Sequence, residues 1–342
     1  MQTKKVATHS GCFHCDEVLA CTMLTRYTNE FKNCSITRTR DQKIIDEHDI
    51  VVDVGGLYDP SKHRYDHHQN SFTDTFSEEF QIRLSSAGLI YKHFGMEIVK
   101  NICDKILEQN KQYLQTEIQL NETILQEIYY RIYKGFIMSV DAIDNGIDQY
   151  PKDIKPLYYN KTSLWSRISR LQPHWTEKYI EDDIQRFNKA MDMADEELFS
   201  QVKVLLLSTI PARECVKQAI NGRFNIHQSG QIIAFETPLP WKDHLEDFEN
   251  EMDIKGVIKF VLFPESEEKK AWRVQGVPVN QGSFDLRIGL KKEWRGIKDM
   301  DILKNVTGIQ DIVFVHNSGF IGGAKSFQST LKMALESIEN IQ

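Results

Sequence analysis

The run Asp49–Val54, DIVVDV, followed at once by Gly55-Gly56, leaves this chain the fewest structural choices. Its apolar residues do not alternate with polar ones. The strand it predicts must therefore be covered on both faces, as strands of parallel sheets are. Parallel strands need crossover connections, and the neighbouring sequence supplies them. Lys4–Thr8 predicts a short strand. Asp16–Tyr27 sets Val18, Leu19, Met23 and Leu24 at helical spacing. Ser35–Arg38 predicts a strand, Lys43–Glu47 a short helix, and Leu84–Phe94 a helix capped by Ser85 or Ser86 and stopped at Gly95. This rhythm specifies an α/β fold whose N-terminal domain carries a mostly parallel sheet. Ligands of such sheets sit at the carboxyl ends of the strands, where Thr8-His9 and Asp53 fall.

Beyond this region the pattern changes. Residues from about 97 to 145 read as two helices, the second ending at Asn145-Gly146. A helical stretch covers about 177–208, and helix Ala212–Ile220 closes on Asn221-Gly222. Strands are expected at Gln231–Phe235, Val257–Phe263, Trp272–Val279 and Asp311–His316. The loop NSGFIGGAKS and an amphipathic helix to Gln342 follow. A chain of 342 residues exceeds one ordinary core. The expected division is a metal-binding catalytic domain at 1–160, a helical connector at 161–208 and a smaller α/β (α+β) domain at 209–342.

Composition narrows the function classes. No apolar run approaches the roughly 20 residues of a membrane span. A candidate ligand appears already at His9, which leaves no room for a secretory or mitochondrial leader before the fold. The expected location is the cytoplasm or nucleus, with no membrane partner. The cysteines at 12, 15, 21, 34, 103 and 215 form no regular framework and read as free thiols. The net charge of −7 argues against bulk attraction to nucleic acid. A nucleic-acid substrate would need a local basic patch, or bound metals that invert the local field.

Six of the eleven histidines lie within the first 68 residues, so the chemistry is expected there. In THSGCFHCDE, His9, His14 and Asp16 give H-x4-H-x-D at a strand-to-helix junction, a donor set suited to Mn, Mg, Zn or Fe. Cys12 and Cys15 form a C-x2-C, but no second pair completes a zinc knuckle. Asp53 is an acid inside an apolar strand. Buried and unpaired it would be costly, and coordination at the strand end removes that cost. In HRYDHHQ, His67 is a candidate ligand, His68 would face substrate, and Asp66 would orient an imidazole. In VDAIDNGIDQ, Asp141, Asp144 and Asp148 share one helical face, where like charges repel unless solvated or neutralised. The apolar stretch before them makes Asp141 the first choice as ligand and Asp144 the alternative.

GFIGGAKS nearly matches a P-loop. Ala324 replaces its second glycine, however, and too few residues follow for a nucleotide-hydrolase sheet. Gly319, Gly322 and Gly323 would let backbone amides approach an anion at a helix N-terminus, with His316 and Lys325 adding charge. In KKEWRGIK, Lys291, Lys292, Arg295 and Lys298 could guide a phosphate backbone, with a solvated charged surface as the plainer reading.

Together, H-x4-H-x-D, Asp53, Asp66-His67-His68 and Asp141 resemble the ordered motifs of the DHH phosphoesterase superfamily. THSGCFHCDEVLACTML, RTRD, DIVVDVGGLYDPSKHRYDHHQNSF, LSSAGLIYKHFG, VDAIDNGI and FVHNSGFIGGAKS resemble its eukaryotic branch, the MYG-type (melanocyte proliferating gene) exonucleases. His14 stands where the wider superfamily usually has aspartate. The resemblance implies a DHH-type first domain and two divalent metals, Mn before Mg, in a cleft between domains. The C-terminal glycines are similar to the family's substrate-binding loop. The implied activity is 3′-to-5′ RNA exonuclease action on single-stranded RNA or short oligonucleotides. One metal would be held by His9, His14 and Asp141 and the other by Asp16 and His67, with Asp53 bridging and His68 assisting the leaving oxygen. The alternatives are a small-molecule phosphoesterase acting on short oligonucleotides, dinucleotides or pyrophosphate, and a non-catalytic metal-binding protein.

Overall fold

A computed structural model describes residues 4–114, 118–178, 184–266, 268, 271–280 and 282–339. The chain forms two compact units, Met1–Leu206 and Leu207–Gln342. Among the described residues no helix is long and apolar enough to cross a membrane.

The first unit opens with β1 (Lys5–Thr8), α1 (Cys15–Tyr27), β2 (Ser35–Arg38), α2 (Gln42–Asp46), β3 (Ile50–Val52), β4 (Tyr58–Asp59) and β5 (Arg64–Tyr65). The sheet order is β2-β1-β3-β5-β4. β1 pairs in parallel with β2 and β3, and β3 with β5, while β4 is an antiparallel edge. Ile50, Val51 and Val52 are all buried, as a strand covered on both faces requires.

Helices α3 (Ser86–Asn110), α4 (Glu122–Ile132) and α5 (Met138–Asp144) follow, with a π turn over Tyr133–Ile137 joining the last two. Gly95 does not stop α3. It lies mid-helix because its missing side chain admits the Tyr129 ring, which a Cβ would approach to 2.5 Å. Helices α6 (Leu164–Ser169) and α7 (Ile184–Val204) lie in the stretch expected to connect the domains, and both pack on α1 within the first unit. Arg26 ties α1 to α7 through Asp192 at 2.6 Å and Asp195 at 2.8 Å.

The second unit contains α8 (Ile210–Asn221), α9 (Arg223–Ile226), β6 (Ile232–Ala234), α10 (Lys242–Glu251), β7 (Phe260–Pro264), β8 (Trp272–Gly276), α11 (Met300–Thr307), β9 (Ile312–Val315), β10 (Ile321–Ala324) and α12 (Phe327–Glu339). Its sheet order is β6-β7-β8-β10-β9, parallel only between β6 and β7. Alternate strand residues feed opposite faces. Ile232, Phe260 and Val274 pack with Leu303 and Met333, whereas Ile233 and Val261 pack with Val216, Leu245 and Phe248.

The glycine-rich segment differs from its expected form. Gly322 and Gly323 are not in a loop before a helix but in β10, hydrogen-bonded between β8 and β9. Close approach explains both glycines. A Cβ on Gly322 would meet Leu290 at 2.7 Å and Met333 at 2.8 Å, and one on Gly323 would meet the Trp272 carbonyl oxygen at 2.7 Å. Gly319 occupies the preceding turn at φ +75°, with the Arg295 guanidinium against its open side.

Candidate metal centre

Four parallel strands end at one edge of the first sheet, and each delivers side chains there. β1 runs into His9, β2 into Arg40, β3 into Asp53, and β5 into Asp66, His67 and His68. Asp53 turns at φ +58°, a left-handed conformation that aspartate tolerates better than most residues. His14 and Asp16 flank the start of α1. The Glu17 carboxylate, three residues after His14, accepts the His14 N–H at 2.8 and 2.9 Å and so caps the helix.

These residues form one connected cluster. Ligand atoms of His9, His14, Glu17 and Asp53 lie within 4.8 Å of one another, as do those of Asp53, His67 and His68, and those of His14, Asp16 and Asp144. Asp53 is shared by the first two groups and His14 by the first and third. His9 Nε2 is 3.1 Å from Glu17 Oε1 and 3.3 Å from Asp53 Oδ2. His67 Nε2 is 3.4 Å from Asp53 Oδ1 and 3.1 Å from Asp144 Oδ2. None of these approaches has hydrogen-bond geometry, and both buried carboxyl oxygens of Asp16 accept no hydrogen bond. Buried imidazole lone pairs and carboxylate oxygens converging without hydrogen bonds are a donor set that fits a divalent cation.

The surroundings support that fit. His9 Nδ1 lies 3.1 Å from the Ser10 carbonyl oxygen, so a proton on Nδ1 leaves Nε2 for a cation. Asp66 accepts the Gly56 N–H at 2.7 Å and holds His68 Nδ1 at 2.7 Å, leaving the His68 ring 62% exposed. Asp66 thus orients an imidazole, and that imidazole faces outward.

Charge in the cluster is strongly perturbed. Burial would depress the His9 imidazole, but Asp53 and Glu17 outweigh it and raise its pKa to about 10. Burial likewise opposes protonation of His67, and Asp144 and Asp53 raise it to about 9. Burial works against ionised Asp53, yet His67 and His9 hold its carboxyl well below the ordinary range. Burial, then the Asp53 and Asp144 charges, push Asp16 well above it. The carboxylates of this pocket therefore draw positive charge to the site, as protons on His9 and His67.

Of the expected ligands, His9, His14, Asp16, Asp53 and His67 come together, with His68 at the rim. Asp141 does not join them. It is fully buried, and its Oδ1 accepts from Ser85 N at 3.0 Å, Ser85 Oγ at 2.7 Å and Gly88 N at 3.0 Å, while Tyr133 reaches Oδ2 at 3.3 Å. Asp141 therefore caps α3, and Asp144, one turn later, reaches His67. The next residue of α3, Ser86, donates to Asp53 Oδ1 at 3.1 Å. Glu17 was not among the expected residues. Its signal was the H-x-x-E spacing from His14, the spacing of a capping box. In the second unit, exposed His316 pairs with Ser318 Oγ at 2.9 Å, Arg295 Nε donates to the Leu290 carbonyl oxygen at 2.7 Å, and Lys325 is exposed after β10.

The chain is a mixed α/β protein of two units whose imidazoles and carboxylates, clustered at a parallel sheet's carboxyl edge, could bind a metal ion. Comparison with known proteins assigns its family. A family model named MYG1_exonuc, described as Uncharacterised protein family (UPF0160), matches residues 5–338, and the chain belongs to that family. It is 39% identical over 339 residues to a Dictyostelium discoideum relative named "MYG1 protein", covering 99% of this chain and 97% of the relative. It is 40% identical over 340 residues to the Mus musculus "MYG1 exonuclease", covering 98% and 84% of the two chains. The Homo sapiens "MYG1 exonuclease" is 39% identical over 340 residues, with 98% and 85% covered. No solved structure matches the chain.

Proposed function

We propose that this chain is a divalent-metal-dependent phosphodiesterase of DHH-type layout, acting as a 3′-to-5′ exonuclease that releases nucleoside monophosphates from single-stranded RNA. The observation that carries this reading is the continuous donor cluster in which Asp53 joins the His9 group to the His67 group. The name "exonuclease" borne by the mouse and human relatives supports a nucleic-acid substrate.

His9, His14, Asp16, Asp53, His67 and Asp144 would hold two cations, with Mn favoured over Mg. Such cations supply Lewis acidity that polarises the phosphoryl oxygens and lowers the pKa of the attacking water. Asp53, contributing one oxygen toward His9 and the other toward His67, keeps the two donor groups in register. The Asp66 carboxylate, outweighing burial, raises the His68 pKa. His68 then presents an outward ring, held by Asp66, from which a proton would pass to the leaving oxygen. Within the second unit, His316, Lys325 and Arg295 are candidate phosphate-binding residues. The chain would work in the cytoplasm or nucleus.

The net charge of −7 favours a second reading, in which short oligonucleotides, dinucleotides or pyrophosphate are the substrates. One assay separates the two. On 5′-labelled single-stranded RNA with Mn, Mg or chelator, the exonuclease gives a metal-dependent ladder shortening from the 3′ end, absent in an Asp66→Ala/His67→Ala double variant. Intact RNA under every metal, with turnover of dinucleotides or pyrophosphate, would replace the exonuclease by the small-molecule enzyme.

A further inference from the structure

Two arginines leave the carboxyl end of β2 beside the cluster, and they are used differently. Arg38 is 6% exposed. Its Nη2 donates to the Gly11 carbonyl oxygen at 2.6 Å, and its guanidinium lies 5.5 Å from the Phe13 ring centroid and 4.8 Å from that of Phe187. Arg38 therefore fixes the loop between β1 and α1. Arg40 is exposed. Its Nε donates to the Ser10 carbonyl oxygen at 3.3 Å, its Nη2 lies 3.2 Å from His9 Nδ1, and among the described residues it forms no ion pair.

The histidine tautomer decides what Arg40 is free to do. If His9 Nε2 faces the cation site, Nδ1 carries the proton and donates to Ser10 O. Nδ1 then has no lone pair for Arg40, so the Nη hydrogens beside it lack an acceptor from the protein there. An exposed guanidinium fork with unspent N–H groups is matched to two oxygens of a phosphate. Position agrees with chemistry. In the sheet order β2-β1-β3-β5, Arg40 after β2 and His68 after β5 stand at opposite ends of the row, with His9 and Asp53 between them.

We propose that Arg40 is the phosphate-holding residue of this site, gripping the anionic group of a nucleotide whose bridging phosphate lies over the His9–Asp53 cluster. The assignment rests on the phosphodiesterase reading above. It adds an anion subsite in the first unit, built from the end of β2.

The test uses the full chain loaded with Mn²⁺ and two probes, adenosine 5′-monophosphate and uncharged adenosine, titrated calorimetrically. Wild type should bind the monophosphate more tightly than adenosine. Arg40→Gln should lose about tenfold or more of that preference, with Mn²⁺ affinity and adenosine affinity unchanged, and Arg40→Lys should restore part of it. Monophosphate binding unchanged in Arg40→Gln would overturn the assignment, as would a wild type that binds both probes alike. Loss of Mn²⁺ together with the monophosphate would also overturn it, because Arg40 would then be holding His9 rather than substrate. RNA turnover by wild type, measured alongside, keeps the two ideas apart. Absent turnover defeats the nuclease, while the probe comparison still decides whether Arg40 binds phosphate.

Discussion

Gly88 leaves the space that the Asp141 carboxylate fills: a Cβ on Gly88 would overlap both carboxyl oxygens, and the Gly88 N–H donates to Oδ1 at 3.0 Å. Because Ser85 and Gly88 are the N-cap and third residue of α3, Asp141 serves from another helix as the cap that the Ser85 side chain does not provide. Gly88→Ala should therefore destabilise the first unit by about 1–3 kcal/mol through overpacking at a closed site. Denaturant unfolding measures this. A variant as stable as wild type would mean that the carboxylate can move aside at no cost.

Asp141 itself makes the stability of the protein depend on pH. Burial raises its carboxyl to about 7, against the hydrogen bonds from Ser85, Tyr133 and Gly88. The folded state then holds the proton more tightly than the unfolded chain. Wild type is free of penalty below the unfolded pKa, loses stability as pH rises toward 7, and carries the full penalty above it. Asp141→Asn keeps the Oδ1 acceptor and loses the charge. It should exceed wild type at pH 8 by up to on the order of 4 kcal/mol, the gap closing toward pH 4. Melts across that range would expose the opposite case, a variant weaker than wild type at pH 8, in which the start of α3 stabilises the charge more than burial opposes it.

The same helix gives a prediction for metal. Asp144→Asn should weaken Mn²⁺ binding tenfold or more, because Asp144 lies among the donor atoms around His14 and beside His67. Asp141→Asn should leave Mn²⁺ affinity within about twofold, since none of its partners belongs to the cluster. Calorimetric titration of both variants decides, and a larger loss in Asp141→Asn would return the ligand role to Asp141.

Chelated protein should weaken as pH rises. His9 at about 10 and His67 at about 9 are raised above an unfolded value of 6.5. Their contribution is complete below 6.5 and lost as pH climbs through the folded values. Mn²⁺ requires the same imidazoles neutral, so its stabilising effect should grow from pH 6.5 to 9. Thermal melts with EDTA or Mn²⁺ test both slopes. A chelated protein more stable at pH 9 than at pH 6.5 would mean that protons do not hold the cluster together.

Gly322→Ala should destabilise the second unit by about 1–3 kcal/mol, because the new methyl enters the core at Leu290 and Met333. Mn²⁺ affinity should not change. Unimpaired stability combined with weaker nucleotide binding would instead show that the glycine serves ligand approach.

Much of the fold was legible locally. The β-branched run at Ile50–Val52 has few ways to be satisfied, and its acid, Asp53, had to lie at a strand end or be paired. His9, His14, Asp16 and the Asp66–His68 triplet were legible for the same reason: dense imidazole and carboxylate beside strand ends is costly unless shared. The choice between Asp141 and Asp144 was not. Both lie near one helical face, and the π turn over Tyr133–Ile137 together with the start of α3 decides which carboxylate meets backbone amides and which meets His67. Gly322 and Gly323 misled because a glycine pair signals loop by its freedom, whereas here its small size admits neighbours across a sheet. Sequence alone determined which residue types gather at the sheet edge, because periodicity and the cost of burying charge act over a few residues. Tertiary structure alone decided which of them face one another, because partners distant in sequence, such as Ser85 with Asp141 and His67 with Asp144, are chosen by packing.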